Sequence, residues 1–250
     1  MQINEENFKL KINSLFNELA IRNNEPLLIH SSLYELYKLE KPANKFWEFL
    51  SEYMNKSVGI AIPTYCLAGE SSYDPTRSKS SVGAFTQYAL QKPKGIRTLC
   101  PIHNHLFFNE KDIIPSEMNF YESFGLKTDF DFLLRKNYKL LLFAVDFDQA
   151  CTYIHNIEYL ANVPYRKIIY FNRQIINEEN NKILNIQFKY FAKIDNSINT
   201  DFNRVIPHLK SCSTYRKSKL SIFNSYAISL KELHDTILKL LKDNSKILLK

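Results

Sequence analysis

Lys139-Leu140-Leu141-Leu142-Phe143-Ala144-Val145 is a run in which every residue after the lysine is apolar. A strand with one wet face alternates apolar and polar residues, whereas a strand covered on both faces does not, so this run predicts a buried central strand. A turn at Asp146-Phe147-Asp148 follows, and then a helical pattern over roughly residues 150–160. Upstream, Pro26-Leu27-Leu28-Ile29-His30 and Val58-Gly59-Ile60-Ala61-Ile62-Pro63 are two further short apolar runs. Phe8, Ile12, Leu15, Phe16 and Leu19 precede them at helical spacing, and Leu33, Leu36, Phe46, Trp47, Phe49 and Leu50 suggest helical turns between them. Strands alternating with helices predict an α/β fold: a single domain over residues 1–250 with a mainly parallel central sheet flanked by helices. In such folds ligands sit at the carboxyl ends of strands.

Other segments add less. Residues 70–81, polar and serine-rich with Pro75, read as a loop over a site. Ile186-Gln187-Phe188-Lys189-Tyr190-Phe191 suits a half-exposed strand, and residues 230–249 read as a C-terminal helix. The 250 residues are 45% hydrophobic and 24% charged, which fits a globular chain rather than a disordered one. The five glycines (Gly59, Gly69, Gly83, Gly95, Gly125) are too scattered for a dinucleotide fingerprint or a P-loop. Four separated cysteines, Cys66, Cys100, Cys151 and Cys212, suit free thiols in a reducing compartment. No basic segment followed by an apolar stretch opens the chain, and no apolar run nears the roughly 20 residues that span a bilayer. A cytoplasmic protein without membrane insertion is expected.

The net charge of +7 should attract anions such as nucleic acid, an anionic membrane or a phosphate-bearing small molecule. The basic and aromatic stretches at 165–173 and 215–219 match no nucleic-acid motif and read as solvated faces, so no nucleic-acid partner is expected. Cys100, His103 and His105 have the look of metal ligands, but C-x-x-H-x-H has no partner cluster elsewhere, and no metal is expected. A nucleophilic pair of Cys100 or Cys151 with His155 lacks an electropositive pocket that would activate the thiol. Thr152-Tyr153-Ile154-His155-Asn156-Ile157-Glu158 would set His155 between Thr152 and Glu158 on one helix face. A histidine there could take a proton near neutral pH. Taken alone it also reads as an ordinary polar helix face. His30-Ser31-Ser32, at the end of the first predicted strand, could cap a helix and hold a phosphate or oxyanion, or be a plain N-cap.

Together and in order, Leu28-Ile29-His30-Ser31-Ser32, Ile62-Pro63-Thr64-Tyr65, residues 81–87, Arg97-Thr98-x-x-Pro101, Phe124-Gly125, Thr152-x-x-His155-x-x-Glu158 and Val163-Pro164-Tyr165-Arg166 resemble the aminoglycoside 3-N-acetyltransferase family over residues 25–172. The resemblance looks closest to members associated with surface-carbohydrate assembly. It implies transfer of an acetyl group from acetyl-coenzyme A to an amine of an amino sugar, a small-molecule acceptor, with no metal. It implies His155 as general base, and coenzyme contacts from His30, Ser31, Ser32, Arg97, Thr98, Asn104 and Thr152. Tyr65, Asp74 and Glu158 would lie near the acceptor. The oligomeric state is left open.

Two positions depart from the family pattern. Gln87 stands where a glutamate usually supports the catalytic histidine, and Asn104 stands where a serine is common. An amide can orient an imidazole but cannot stabilise an imidazolium by charge. Either another carboxylate, Glu158 or Glu122, compensates, or the chain has become a weakened coenzyme-binding protein with a binding or scaffold role.

Overall fold

Residues 139–143 form a strand whose five side chains are all buried. The computed structural model describes residues 5–36, 40–66, 69–177, 182–220 and 222–250. In chain order the elements are α1 (Glu5–Glu18), β1 (Leu27–Ser31), α2 (Pro42–Tyr53), β2 (Ile60–Pro63), β3 (Ser72–Tyr73), α3 (Ala84–Ala89), β4 (Ile96–Arg97), β5 (His105–Phe108), α4 (Asp129–Arg135), β6 (Lys139–Phe143), α5 (Phe147–Ala150), α6 (Tyr153–Leu160), β7 (Arg166–Asn177), β8 (Lys182–Lys193), α7 (Ile206–Leu209), β9 (Arg216–Leu220), β10 (Phe223–Ser229) and α8 (Leu230–Asp243).

The α/β class and the helix-flanked central sheet are as the sequence predicts. A seven-stranded sheet runs β4-β5-β2-β1-β6-β10-β9. Parallel pairing is confined to β2, β1 and β6, with Leu27 facing both Ile60 and Lys139. The outer strands are antiparallel, so the expected mainly parallel sheet is in fact mixed. Connection length explains two of these pairings: residues 98–104 between β4 and β5, and the two residues between Leu220 and Phe223, are too short for the crossover that parallel neighbours require.

Alternate side chains of the central strands enter opposite cores. Leu140 and Leu142 join Leu28 and Ala61 against Phe130, Tyr153, Ile157, Leu233 and Ile237 from α4, α6 and α8. Leu141 and Phe143 join Leu27, Ile29, Ile60 and Ile62 against Phe16, Phe46, Leu50 and Phe85 from α1, α2 and α3. The 139–145 run is unbroken because both faces of its strand are covered. A second sheet, β3-β7-β8, is built on a hairpin pairing Arg166 with Lys193 through Asn177 with Lys182. The basic 165–173 stretch lies mostly on the hairpin strand β7 and the 215–219 stretch largely on the edge strand β9, and most of their residues are exposed or half-buried, as solvated faces.

Two helix expectations need correction. The pattern over 150–160 comes as α5 and α6, interrupted where the Thr152 N–H turns back to the Ala150 carbonyl at 2.8 Å. The C-terminal helix stops at Asp243, and the last leucines pair in extended form with residues 199–201. No described helix is long and apolar enough to cross a membrane.

Leu142→Ala removes a fully buried side chain between the central strand and the α4/α6/α8 layer. We expect a loss of about 2–5 kcal/mol in unfolding free energy, read from urea or guanidinium titration at unchanged m-value.

Candidate active site

Because β1, β2 and β6 run the same way, their carboxyl ends come together. A cavity of about 260 Å³ opens there, lined by His30 and Ser31 of β1, Pro63 of β2, Tyr65, Gly83 and Thr86 around α3, and Gln149, Ala150 and Thr152 around α5 and α6. It lies where the two helical layers meet over the strand ends. The peptide at Gly83 has φ +87°, in the left-handed region where a side chain is strained, and a Cβ there would lie 3.9 Å from the Ser31 carbonyl. A wider depression of about 750 Å³ is walled by the residues next in sequence: Leu33 and Tyr34 after Ser32, Ala84 after Gly83, then Lys41, Pro42 and Tyr88.

His30 and Ser31 carry buried polar atoms, His30 Nε2 and Ser31 Oγ, that meet no hydrogen-bond partner among the described residues. Such atoms cost free energy unless something completes them, and here both line a cavity. Burial, helped by nearby His105, pushes the His30 pKa down to about 3, so its imidazole is neutral. Ser32 is committed elsewhere: its N–H donates to the Phe143 carbonyl at 2.9 Å, and its hydroxyl accepts the Tyr34 N–H at 3.4 Å. The serine turn thus leads into a single 3-10 turn rather than capping a long helix.

His155 sits on α6, one turn beyond Thr152. Its Nδ1 lies 2.6 Å from Glu158 Oε2. Arg166 Nη2 also approaches Nδ1, at 3.0 Å, but the shorter contact to a carboxylate assigns the Nδ1 proton to Glu158. Nε2 is then the basic nitrogen, and among the described residues it meets no hydrogen-bond partner; the side chain is 26% exposed. Glu158 is fully buried and also accepts the Tyr165 hydroxyl at 2.8 Å. Arg166 Nε lies 2.9 Å from Glu158 Oε2, an ion-pair distance, although its N–H is not aimed at that oxygen. Burial pushes the Glu158 carboxyl up, but His155, Arg166 and the Tyr165 hydroxyl outweigh it and leave the group below its ordinary value. The dyad is an imidazole whose back nitrogen is held by a buried, ionised carboxylate.

Other predicted residues serve elsewhere. Gln87 is not at His155; its Oε1 accepts the Ser80 N–H at 2.9 Å and ties the 70–81 segment to α3. The carboxylate at the histidine is Glu158, while Glu122 pairs with Lys189 and Tyr159. Arg97 is buried behind the cavity wall, its guanidinium holding the Thr64 carbonyl at 2.7 Å and the Ser78 carbonyl at 2.5 Å. Asn104 Oδ1 accepts from Arg97 Nε at 2.9 Å and from the Thr64 hydroxyl at 2.7 Å. Thr98 donates to Asp129 at 2.5 Å. In the structure Arg97, Thr98 and Asn104 brace Thr64, Ser78 and β5, and Arg97 also lines a second cavity of about 600 Å³ with Gly95, Ile96 and Leu99. Asp74 is the organiser of a turn, accepting the Thr76 N–H at 2.8 Å and the Thr76 hydroxyl at 2.7 Å. Tyr65 does line the cavity.

The thiols are poor nucleophiles, since burial pushes both Cys100 and Cys151 up to about 12. Cys100 and His103 both meet the Ser123 hydroxyl, and His105 bonds Asp129, so each of the C-x-x-H-x-H side chains has a protein partner. Among the described residues no group of three or more His, Cys, Asp and Glu could hold a metal ion. Asp129, Tyr165 and Arg166 carry contacts here that the sequence reading left without a role. Only Tyr165-Arg166, seven and eight residues beyond Glu158, stood close enough in the chain to suggest one.

Comparison with known proteins extends this picture. No curated protein sequence matches the chain. Among solved structures, the YokD protein from Bacillus subtilis superposes with a TM-score of 0.76 at 19% identity, covering 94% of this chain and 99% of that one. AAC-IIIb in a binary complex with CoASH gives 0.79 at 12% identity, with 96% of each chain covered. A histidine-to-alanine variant of the aminoglycoside acetyltransferase AAC(3)-IVa, in complex with a gentamicin, gives 0.76 at 19% identity, covering 96% and 90%. At these identities the likeness is one of fold. The sequence itself matches the family described as aminoglycoside 3-N-acetyltransferase over residues 28–242, from β1 to the last turn of α8. On the extent of that match the chain belongs to the aminoglycoside 3-N-acetyltransferase family.

Proposed function

We propose that the chain transfers an acetyl group directly from acetyl-coenzyme A to an amine of an amino sugar, with His155 as general base. The observation that carries this reading is the His155–Glu158 pair, in which the proton on Nδ1 is fixed and the basic Nε2 is open one helical turn from the cavity. A sugar ammonium is not nucleophilic, so a base must take its proton near neutral pH, a task suited to imidazole. Glu158, fully buried, then stabilises the imidazolium by charge.

The coenzyme thioester supplies the activated acyl carbon. The orphaned Ser31 hydroxyl and the neutral His30 fit a group that brings its own hydrogen-bonding atoms, and the Ser31 hydroxyl can donate to an oxygen gaining negative charge. The Leu33–Tyr88 depression, largely apolar with Lys41 on its wall, suits the flexible arm of the coenzyme. No acyl-enzyme is needed. The chain's relation to a complex with CoASH and one with gentamicin supports the same pairing of donor and acceptor.

His155→Ala should lower kcat by at least about 10²–10⁴-fold, with the coenzyme dissociation constant by titration calorimetry close to that of the parent. Equal turnover in that variant would remove the mechanism. Glu158→Gln keeps the shape but not the charge and should cost a comparable factor in kcat, measured by thiol release across a panel of amino sugars. Coenzyme binding with no release on any acceptor would favour a binding protein instead.

Ser31→Ala tests the orphaned hydroxyl. It removes no hydrogen bond to the described residues, so the thermal midpoint should be unchanged or slightly raised. The coenzyme should bind about 3- to 15-fold more weakly, the worth of one hydrogen bond.

A further inference from the structure

Asp129, His105 and Tyr65 form a buried chain of hydrogen bonds that reaches the cavity wall behind the strand ends. Asp129 Oδ2 receives the Thr98 hydroxyl at 2.5 Å, the His105 backbone N–H at 3.0 Å and His105 Nδ1 at 2.9 Å. His105 is fully buried and Asp129 nearly so. A carboxylate accepts only, so the Nδ1 proton belongs to His105 and points at Asp129. In a neutral ring the other nitrogen is then an acceptor. The Tyr65 hydroxyl, 3.2 Å from Nε2, donates to it. Burial raises the Tyr65 phenol well above its ordinary value, so it keeps that proton. The Tyr65 oxygen therefore has no donor left for the cavity and offers it only lone pairs, with the Thr152 side chain within hydrogen-bonding reach of the same oxygen.

The cavity has a matching peculiarity. None of the residues lining it is Asp, Glu, Lys or Arg, and its one histidine is neutral. A charged ammonium would lose hydration there without gaining an anion, which favours the neutral amine. A neutral primary amine carries two N–H groups and one lone pair. An acceptor-only oxygen takes one N–H and leaves the nitrogen lone pair turned toward the acyl carbon.

We propose that Tyr65 is the subsite for the amine nitrogen of the acyl acceptor, and that His105 and Asp129 are positioning residues that hold its hydroxyl in the accepting orientation. This rests on the reading of the chain as an amine acetyltransferase. Tyr65 touches the substrate; His105 and Asp129 act through it. Because Oδ2 also takes the His105 backbone N–H and the Thr98 hydroxyl, an asparagine at 129 keeps its carbonyl oxygen there and holds the Nδ1 proton less firmly than the carboxylate does.

The test uses acetyl-coenzyme A with the best amino-sugar acceptor of the parent protein. Tyr65→Phe should raise the acceptor KM about tenfold while the coenzyme KM stays within about twofold and the thermal midpoint falls by no more than the loss of one buried hydrogen bond. Asp129→Asn should weaken the acceptor in the same direction but by less, and ¹⁵N spectra of the parent should show the His105 proton on Nδ1. An acceptor KM in Tyr65→Phe within about twofold of the parent, or a parent His105 protonated on Nε2, overturns the proposal. So does an equal loss for coenzyme and acceptor, which would mark a purely structural role. Should Asp129→Asn fail to fold, Tyr65→Phe and the parent spectrum still decide. Transfer by the parent with an indifferent Tyr65→Phe sinks the subsite alone, whereas no transfer by the parent to any amine sinks the functional reading and the subsite with it.

Discussion

Burial of β1, β2 and β6 on both faces is the constraint from which the rest follows. With helices on each side, none of the interior positions of these strands can carry a polar side chain without a partner, so chemistry is pushed to their ends. Parallel pairing puts three such ends together, and the first polar side chains after the apolar runs, His30 and Ser31, meet Tyr65 and Thr152 there. The antiparallel outer strands widen the sheet without adding to that cluster of ends.

The same constraint separates two kinds of polar group behind the site. Arg97, Asn104 and Thr64 are saturated by one another and by backbone carbonyls, which makes them a brace for the segment that carries Tyr65. A buried guanidinium with its N–H groups so engaged holds the segment around Tyr65 firmly in place. Glu158 is also saturated, but one of its partners is an imidazole whose opposite nitrogen is open.

What the sequence disclosed follows from range. The 139–145 strand, the His30 turn and the T-x-x-H-x-x-E helix are local patterns, and period or spacing reads them directly; His155 and Glu158 meet because three residues make nearly one helical turn. Gln87 was misplaced because its relation to the histidine came from the family pattern, and no spacing along the chain says that α3 turns that side chain toward Ser80. Asp129 was invisible for a similar reason: its partner His105 lies on another element, and the contact exists only once α4 packs behind β5. Of the β7–β8 hairpin, alternation discloses the 186–191 part of β8, whereas its pairing with β7 joins two separate segments and no period along either reads it.

Saturation also orders the histidines. His103 and His105 face hydroxyl or carboxylate partners and aromatic rings within the wall, His30 keeps one nitrogen without a partner among the described residues, and His155 alone of the four couples a carboxylate on one nitrogen to a partly exposed side chain. Deep burial holds His30 and His103 down to about 3, so neither can bear a proton at neutral pH. A base must change charge during the reaction, and the charge must have somewhere to rest; of these rings only His155 and His105 have a carboxylate to receive it. His105 is fully buried behind Tyr65, whereas the His155 side chain is 26% exposed. The two imidazole–carboxylate pairs therefore differ in access rather than in chemistry, and that difference is why the proposed function gives the general base to His155 and a positioning role to His105.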